Sequence, residues 1–150
     1  MIRYAELDDL PDVVNLIMQR GEEFDYDSRG FPRPDRKVVT RTVLRNWHLA
    51  PCFLLCVDSK TVGCASTTLL SLGWSDEKVL TSFMVYILPK YRNSDRVKML
   101  YKSIQDYADR NGLLYADDYI AIDRVAARQR LMRSLDFQES GFLFTYKGKS

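Results

Sequence analysis

Two arginines and a proline mark a strand–helix junction at which this sequence could bind a phosphate group. A run typical of a strand covers residues 79–88 and meets Pro89, and a short polar loop of residues 90–95 leads into a helix. The first turn of a helix has backbone N–H groups without acceptors and carries partial positive charge, so it attracts anions. Arg92 and Arg96 add two full positive charges at the same place. The pattern predicts a phosphate-bearing ligand bound where this strand meets this helix.

The helix after the loop is predicted by apolar residues at steps of three and four. They are Val97, Leu100, Tyr101, Ile104 and Ala108. This spacing puts one continuous apolar stripe along the helix.

Alternating and periodic segments predict the other elements. A first strand begins at Ile2, and a helix capped by Asp8 or Asp9 ends near Gly21. A second helix begins after Asp35 and buries Val39, Val43 and Trp47. Further strands are predicted at residues 52–57, 61–70, 119–122 and 142–146, and a fourth helix with Ala127, Leu131 and Leu135 on its apolar side follows Asp123. The order predicts an α/β chain with a mixed, mostly antiparallel sheet flanked by helices.

Composition indicates one globular domain, residues 1–150. The chain is 46% apolar and 28% charged, and its net charge of +2 argues against a dedicated nucleic-acid-binding protein. Three cysteines without a CxxC pair, and one histidine, make zinc binding improbable, so we expect buried thiols in a reducing compartment. The acidic N-terminus lacks the apolar core of a signal peptide, and no apolar run is long enough to span a membrane. We therefore expect a cytoplasmic protein without a metal.

The whole chain resembles the GCN5-related N-acetyltransferase (GNAT) family. The segment IRYAELDDLPDVVNLI is similar to the family's first strand and helix, and VDSKTVG to its hairpin. YILPKYRNSDRVKML aligns without gaps on the acyl-CoA loop, V-x-P-x-[Y/W]-[Q/R]-G-x-G-x-[G/A]. IDRVAARQRLMRSLDF aligns on the element N-x-A-A-x-x-[LF]-Y-x-K-x-G-F. The resemblance implies an enzyme that transfers an acetyl group from acetyl-CoA to an amine.

Several motif positions depart from the family. Asn93, Asp95 and Val97 replace the loop's small residues, and Asp136 replaces the glycine before Phe137. Glycine lets the backbone approach a pyrophosphate closely, whereas an aspartate beside it repels the charge. Asn93 can still form a turn, because asparagine tolerates positive φ.

Two further departures affect groups that take part in the chemistry. Met132 stands where the family often has a tyrosine that protonates the leaving thiolate, and a methionine cannot donate that proton. Thr81 stands near the family's carboxylate at the start of strand four.

The resemblance implies a set of residues that bind the co-substrate. Val85 and Ile87 would contact the pantetheine through their main chain, the alternative being two ordinary core residues. The predicted pyrophosphate cradle is Arg92, Asn93, Ser94, Asp95, Arg96 and Val97, the alternative being a solvated helix terminus. Met132 would line the thioester site or simply pack in the core.

Candidates for acid–base chemistry are few. Glu22, Glu23, Asp25 and Tyr26 lie in the loop that in the family borders the acceptor site, although a solvated loop is the simpler interpretation. Tyr86 points to the opposite face of its strand from Val85 and Ile87, toward core or site. Asp117 and Asp118 precede the predicted strand five and face either the acceptor cleft or water, and His48 is interpreted as a helix cap.

Arg124, Arg128, Arg130 and Arg133 crowd the fourth helix. They predict a solvated face or a contact to CoA phosphate or an anionic partner.

A different class of function remains open at the level of sequence. The lost motif residues also fit a catalytically decayed GNAT-fold module that binds protein partners. The acceptor is not readable from the sequence, and the family resemblance admits a homodimer.

Overall fold

Five strands and five helices make up the described part of the chain. The computed structural model of the protein describes residues 1–24, 26–117 and 125–140. The strands are β1 (Ile2–Tyr4), β2 (Cys52–Val57), β3 (Lys60–Ser71), β4 (Lys78–Ile87) and β5 (Leu114–Tyr115). The helices are α1 (Leu10–Glu22), α2 (Tyr26–Arg29), α3 (Arg36–Trp47), α4 (Ser94–Asn111) and α5 (Val125–Ser134). Two short 3₁₀ turns, Leu7–Asp9 and Pro89–Tyr91, precede α1 and α4.

The strands form one sheet in the order β1-β2-β3-β4-β5. The first four are antiparallel neighbours, and β5 lies parallel to β4. The β2–β3 connection is a two-residue turn in which Asp58 and Ser59 have φ of +49° and +62°, the geometry that matches the twist of a hairpin. The predicted mixed, mostly antiparallel sheet flanked by helices is confirmed.

Two apolar clusters cover opposite faces of the sheet. Alternation along β2 sends Leu54 toward α1 and α3, and its neighbours Phe53 and Leu55 toward α4. The predicted α4 stripe is confirmed, since Leu100, Tyr101, Ile104 and Ala108 are buried and Val97 packs at its edge.

The three cysteines are free and buried, as predicted, and all lie in the cluster beneath α1 and α3. Burial raises the pKa of the Cys52 thiol to about 12 and that of Cys64 well above its ordinary value. Because the thiolate is the reactive form, these side chains act as small hydrophobes.

A bulge bends β4 at Phe83. Ser66 of β3 pairs with Met84 and Thr67 pairs with Ser82, so Phe83 is an extra residue on β4. Phe83 and Met84 consequently both pack on the α1–α3 side, which changes the alternation of the strand from that point on.

Some boundaries and elements differ from the sequence prediction. Helix α4 begins at Ser94, whereas the sequence predicts that the preceding loop extends to residue 95. The sequence does not predict α2, because one short helical turn has no periodicity to detect. Strand β5 was missed because two residues carry no alternation. Asp117 follows this strand, and the prediction that Asp117 and Asp118 precede a strand at residues 119–122 stays a prediction. The predicted strands at residues 119–122 and 142–146, and the cap Asp123, lie outside the described residues.

None of the helices in the described ranges is both long and apolar enough to cross a membrane.

Gly63 allows β3 to approach β4 closely. A Cβ at this position would lie 2.9 Å from the carbonyl oxygen of Tyr86 and 2.9 Å from Cγ1 of Ile87. The Ile87 side chain can rotate, but the carbonyl belongs to the strand and cannot move without shifting the ladder.

We predict that Gly63→Ala lowers the free energy of unfolding by about 1–3 kcal/mol through overpacking. Urea denaturation measures it, with the m-value unchanged if only stability is altered. An unchanged midpoint would show that the two strands separate freely here.

Helix α5 ends in a Schellman motif whose left-handed position is an aspartate. The N–H of Phe137 donates to the Met132 carbonyl at 3.0 Å, and that of Asp136 to the Arg133 carbonyl at 3.0 Å. Asp136 has a φ of +64°, a conformation that disfavours residues with a Cβ. The ring of Phe137 then packs 5.1 Å from that of Tyr115, which anchors α5 beside β5.

We predict that Asp136→Gly stabilises the protein by about 0.5–1 kcal/mol, since glycine relieves this strain but adds freedom to the unfolded chain. Thermal unfolding should show a rise in Tm of about 1–4 °C. The control Ser134→Gly, in the last helical residue, should lower stability by about 0.5 kcal/mol. A fall in Tm for Asp136→Gly would mean that the carboxylate has a stabilising contact.

Candidate functional site

Among the described residues, β4 and β5 pair over only two residues each, and the edge of β4 beyond these pairs defines the candidate site. They pair only at Val79 with Leu114 and Leu80 with Tyr115, after which the Ala116 N–H donates to the Leu80 carbonyl at 2.9 Å. Among the described residues, no strand accompanies β4 on this side from Thr81 to its end. We refer to this edge of β4, from Thr81 to Ile87, as the fork.

The main-chain groups of Val85 and Ile87 point into this fork. The N–H of Leu88 donates to the Val62 carbonyl of β3 at 2.9 Å, and successive residues of a strand direct their N–H and C=O groups to opposite edges. Ile87 and Val85 therefore direct theirs away from β3, to the side on which β5 pairs with the start of β4. Their side chains pack against the α4-side cluster, so each residue serves the core with its side chain and the fork with its backbone.

A polar network ties the two strands together just beyond their last paired residues. The Ser82 hydroxyl of β4 donates to Oδ1 of Asp117, and the Tyr101 hydroxyl of α4 donates to Oδ2 at 3.4 Å. Arg128 of α5 donates to the same oxygen at 3.2 Å and also to the Tyr101 hydroxyl. One carboxylate thus joins β4, α4, α5 and the segment after β5.

This network corrects two interpretations of the sequence. The side chains of Asp117 and Arg128 are only 4% and 19% exposed, so Asp117 does not face water and Arg128 does not belong to a solvated helix face. Arg130 is exposed and Arg133 pairs with Glu139 at the surface, whereas Arg124 and Asp118 lie outside the described residues. No local pattern announces the network, because Ser82 and Asp117 are 35 residues apart.

We predict that Asp117→Ala lowers the free energy of unfolding by about 2–4 kcal/mol, since it leaves the Arg128 guanidinium without its carboxylate in a largely buried place. Asp106→Ala is the matched control: Asp106 pairs with Lys102 at a similar 3.1 Å, but with side chains 46% and 63% exposed, so it should change stability by at most about 0.5 kcal/mol. Chemical denaturation of the two variants measures the difference. Equal effects would mean that the network contributes nothing beyond a surface ion pair.

The loop between β4 and α4 presents few free donors. The side chain of Asn93 caps α4 by accepting the Arg96 N–H at 2.9 Å, and its carbonyl accepts the Val97 N–H at 3.1 Å. Asn93 is extended, with φ of −151°, so it does not use the positive φ that asparagine tolerates. The N–H groups of Ser94 and Asp95 remain, because the first residues of a helix have no intrahelical acceptor.

Both loop arginines bind protein oxygens. Arg96 donates to the Tyr91 carbonyl at 2.8 Å. Arg92 donates to the Ile87 carbonyl from Nε at 3.1 Å and Nη2 at 2.8 Å, and to the carboxylate of Glu23 at 3.0–3.2 Å. The role of either arginine in holding phosphate stays a prediction.

Glu23 and Arg92 meet over the ring of Tyr86. The guanidinium carbon lies 5.3 Å from the ring centroid, and Tyr86 is 5% exposed within the α1–α3 cluster. Its buried hydroxyl makes no hydrogen bond with any described residue. Two of the predicted acid–base candidates, Tyr86 and Glu23, therefore lie together beside Arg92. Glu23 and Arg92 are 69 residues apart along the chain.

The charges of this group are set by its surroundings. Desolvation raises the pKa of Glu23, but Arg92, the nearby Tyr86 hydroxyl and the Arg20 charge together outweigh it, and the net pKa lies below its ordinary value. Burial, with the nearby Glu23 charge, raises the pKa of Tyr86. At neutral pH the group is therefore an ionised carboxylate beside a protonated phenol.

The other predicted residues lie elsewhere or are partly buried. Glu22 is exposed at the end of α1, and Tyr26 packs against Phe24 with ring centroids 4.6 Å apart. Met132 is partly buried on α5, and His48 is the exposed C-cap residue of α3, as interpreted. Asp25 lies outside the described residues. Across residues 1–24, 26–117 and 125–140, no three His, Cys, Asp or Glu side chains form a group that could hold a metal.

Solved structures share this architecture over its whole length. A protein described as a possible acetyltransferase, from Clostridium difficile 630, matches with a TM-score of 0.74 and 20% identity over 100% of this chain and 98% of its own. The chain has the GNAT fold. AAC(6')-Iy in complex with the bisubstrate analog CoA-S-monomethyl-acetylneamine matches with a TM-score of 0.71 and 19% identity over 100% and 98% of the two chains. The ribosomal-protein-alanine N-acetyltransferase from Brucella melitensis biovar Abortus 2308 matches with 0.71 and 14% identity over 99% of each.

Comparisons based on sequence find no relatives of this chain. No protein-family model and no curated protein matches the chain. The likeness lies in the fold, and at 14–20% identity most side chains differ.

Proposed function

We propose that the protein transfers an acetyl group from acetyl-CoA to an amine. The observation that carries the proposal is the fork. Within the described residues, β4 pairs with β5 only as far as Leu80, directs main-chain groups of Val85 and Ile87 away from β3, and leads to the N-terminus of α4. An extended amide-bearing arm can pair with a free strand edge, and a diphosphate can bind at the helix terminus.

The GNAT-fold relatives support this assignment of the donor. AAC(6')-Iy has been solved with a CoA-containing bisubstrate analog and with CoA itself. In this chain the pantetheine arm would lie along Val85 and Ile87, and the diphosphate near Ser94 and Asp95. Of the predicted cradle, Asn93 and Val97 would contribute mainly by shaping the helix terminus, because their contacts are internal to the loop.

The reaction needs little side-chain chemistry. The amine nitrogen attacks the thioester carbon, the C–N bond forms, the C–S bond breaks, and the thiolate leaves with a proton from the nitrogen. A main-chain N–H aimed at the developing oxyanion is worth about 3 kcal/mol, and it does not depend on which side chain the residue carries. Met132 cannot supply a proton, and a thiolate is a good enough leaving group to make that loss tolerable.

The location follows from the cysteines. Free, buried thiols suit a reducing compartment, and we propose that the protein works in the cytoplasm. The acceptor is an amine on a small molecule or on a protein.

We predict that acetyl-CoA binds with a Kd below about 1 mM by calorimetry, and that an amine panel yields free thiol at a rate above the background hydrolysis. Absence of binding would contradict the proposal. Binding with no transfer to any amine would contradict the enzymatic part and favour a binding module.

Two variants locate the diphosphate in the same experiment. Ser94 is the first residue of α4 and Asn93 before it is extended, so Ser94→Pro suits the helix yet removes one N–H. It should weaken acetyl-CoA binding by roughly 10-fold, the loss of one hydrogen bond to a charged group, without lowering Tm. Asp95→Asn should instead tighten binding, because it removes a negative charge beside the diphosphate.

A further inference from the structure

The Arg92–Glu23 ion pair stands where two predicted sites meet. Arg92 opens the loop that leads to the donor's predicted diphosphate position, and Glu23 closes α1 on the side that borders the predicted acceptor site. Each residue therefore neutralises a group that the reaction would need in its charged form.

We propose, on the basis of the proposed function, that Arg92 is an exchangeable counter-ion: it neutralises Glu23 in the free protein and passes to the diphosphate of the acyl donor, leaving Glu23 to receive the ammonium group of the acceptor. Glu23 is then the proton acceptor of the reaction, Arg92 is a positioning residue, and Tyr86 is a neutral hydrogen-bonding group beside them.

Breaking the ion pair between Arg92 and Glu23 costs little free energy. The side chains of Arg92 and Glu23 are 35% and 39% exposed, and an ion pair in that environment contributes little to stability. A guanidinium forms charge-assisted and often bidentate bonds with phosphate oxygens as well as with carboxylates, so the diphosphate can replace Glu23 as its partner. The bonds from Arg92 to the Ile87 carbonyl keep the side chain at the end of β4, next to the loop, while the carboxylate is exchanged.

The surroundings of Glu23 decide what happens once Arg92 leaves. The charged or titratable groups that face it are Arg92 from the loop, Tyr86 from β4 and Arg20 from α1. Desolvation raises the pKa of Glu23 and Arg92 lowers it, so removing Arg92 makes the carboxylate more basic. A carboxylate closer to neutral pKa is the better proton acceptor.

The Tyr86 hydroxyl is the second, independent indication of a ligand. The residue is 5% exposed, and its hydroxyl lies close to Glu23 without a hydrogen bond of good geometry to any described residue. Buried hydroxyls in native proteins normally have a partner. An acceptor amine bound to Glu23 would supply that partner.

The proton balance closes with these groups. The acceptor's ammonium gives one proton to Glu23, and the freed lone pair forms the C–N bond. The C–S bond breaks, and the second proton of the nitrogen goes to the leaving thiolate. Glu23 then returns its proton to water, and Arg92 goes back to Glu23 when CoA departs.

The test is the affinity for CoA in a double-mutant cycle. Glu23→Gln keeps the shape but removes the charge that competes for Arg92, so CoA should bind about 3–5-fold more tightly by calorimetry, the equivalent of an exposed ion pair. In an Arg92→Gln background the same substitution should have no effect. Pantetheine, which lacks the diphosphate, should bind the wild type and Glu23→Gln equally.

A pH profile separates a chemical role from a structural one. The acid limb of log kcat/KM that reports Glu23 should disappear in Glu23→Gln, with kcat lowered at least about 10-fold, in the range of general base catalysis. Arg96→Gln, which alters the neighbouring arginine whose side chain donates to the Tyr91 carbonyl, should leave that acid limb in place.

The outcomes distinguish the two proposals. If no variant binds CoA, the proposed function fails. If wild type binds CoA and turns over an amine, but Glu23→Gln neither tightens CoA binding nor removes the acid limb, the counter-ion exchange is wrong and the proposed function stands.

Discussion

The short pairing of β4 with β5, which within the described residues ends at Leu80 and Tyr115, is the constraint on which the rest of the site depends. A sheet edge inside a protein exposes unpaired main-chain groups, and leaving them unsatisfied is unfavourable. The molecule builds around this edge: Gly63 lets β3 hold β4 closely from the other side, and the bulge at Phe83 changes which groups face the gap. The network around Asp117 then joins the strands where their hydrogen bonding stops. A ligand that pairs with this edge would satisfy main-chain groups of β4 that have no neighbouring strand among the described residues.

The charged groups of the loop between β4 and α4 are largely paired within the protein. In the described loop, the Asn93 side chain takes the Arg96 N–H, and the two arginines bind carbonyl oxygens and Glu23. Asp95 suits the helix dipole but opposes a diphosphate. The free protein is thus internally neutralised, and binding an anion there requires exchange of partners rather than occupation of an empty positive pocket. Such an exchange would explain how the chain could bind a diphosphate at this helix terminus without the small residues of the motif.

The predictable and unpredictable parts of this protein differ in physical origin. The α4 stripe and the β2–β3 hairpin follow from local periodicity and turn geometry, so the sequence predicts them to within a residue or two. Even the left-handed Asp136 could be expected, because it aligns with a glycine. The Arg92–Glu23 pair and the Ser82–Asp117 bond join residues 69 and 35 apart. No local pattern encodes such contacts, so the sequence predicts neither the burial of Arg128 against Asp117 nor the pairing of Arg92 with Glu23.

The persistence of the fold at 14–20% identity fits this division of roles. What the architecture requires is apolar spacing, a close β3–β4 contact and main-chain direction at Val85 and Ile87, none of which needs a particular motif side chain. Where a motif residue did supply conformational freedom, as at Asp136, the backbone kept its conformation and absorbed the strain. Where the family often has a proton donor, this chain has Met132, and the proposed reaction does not require that donor because a thiolate is a stable leaving group. A chain of this kind can therefore lose its sequence signature while it keeps the fold.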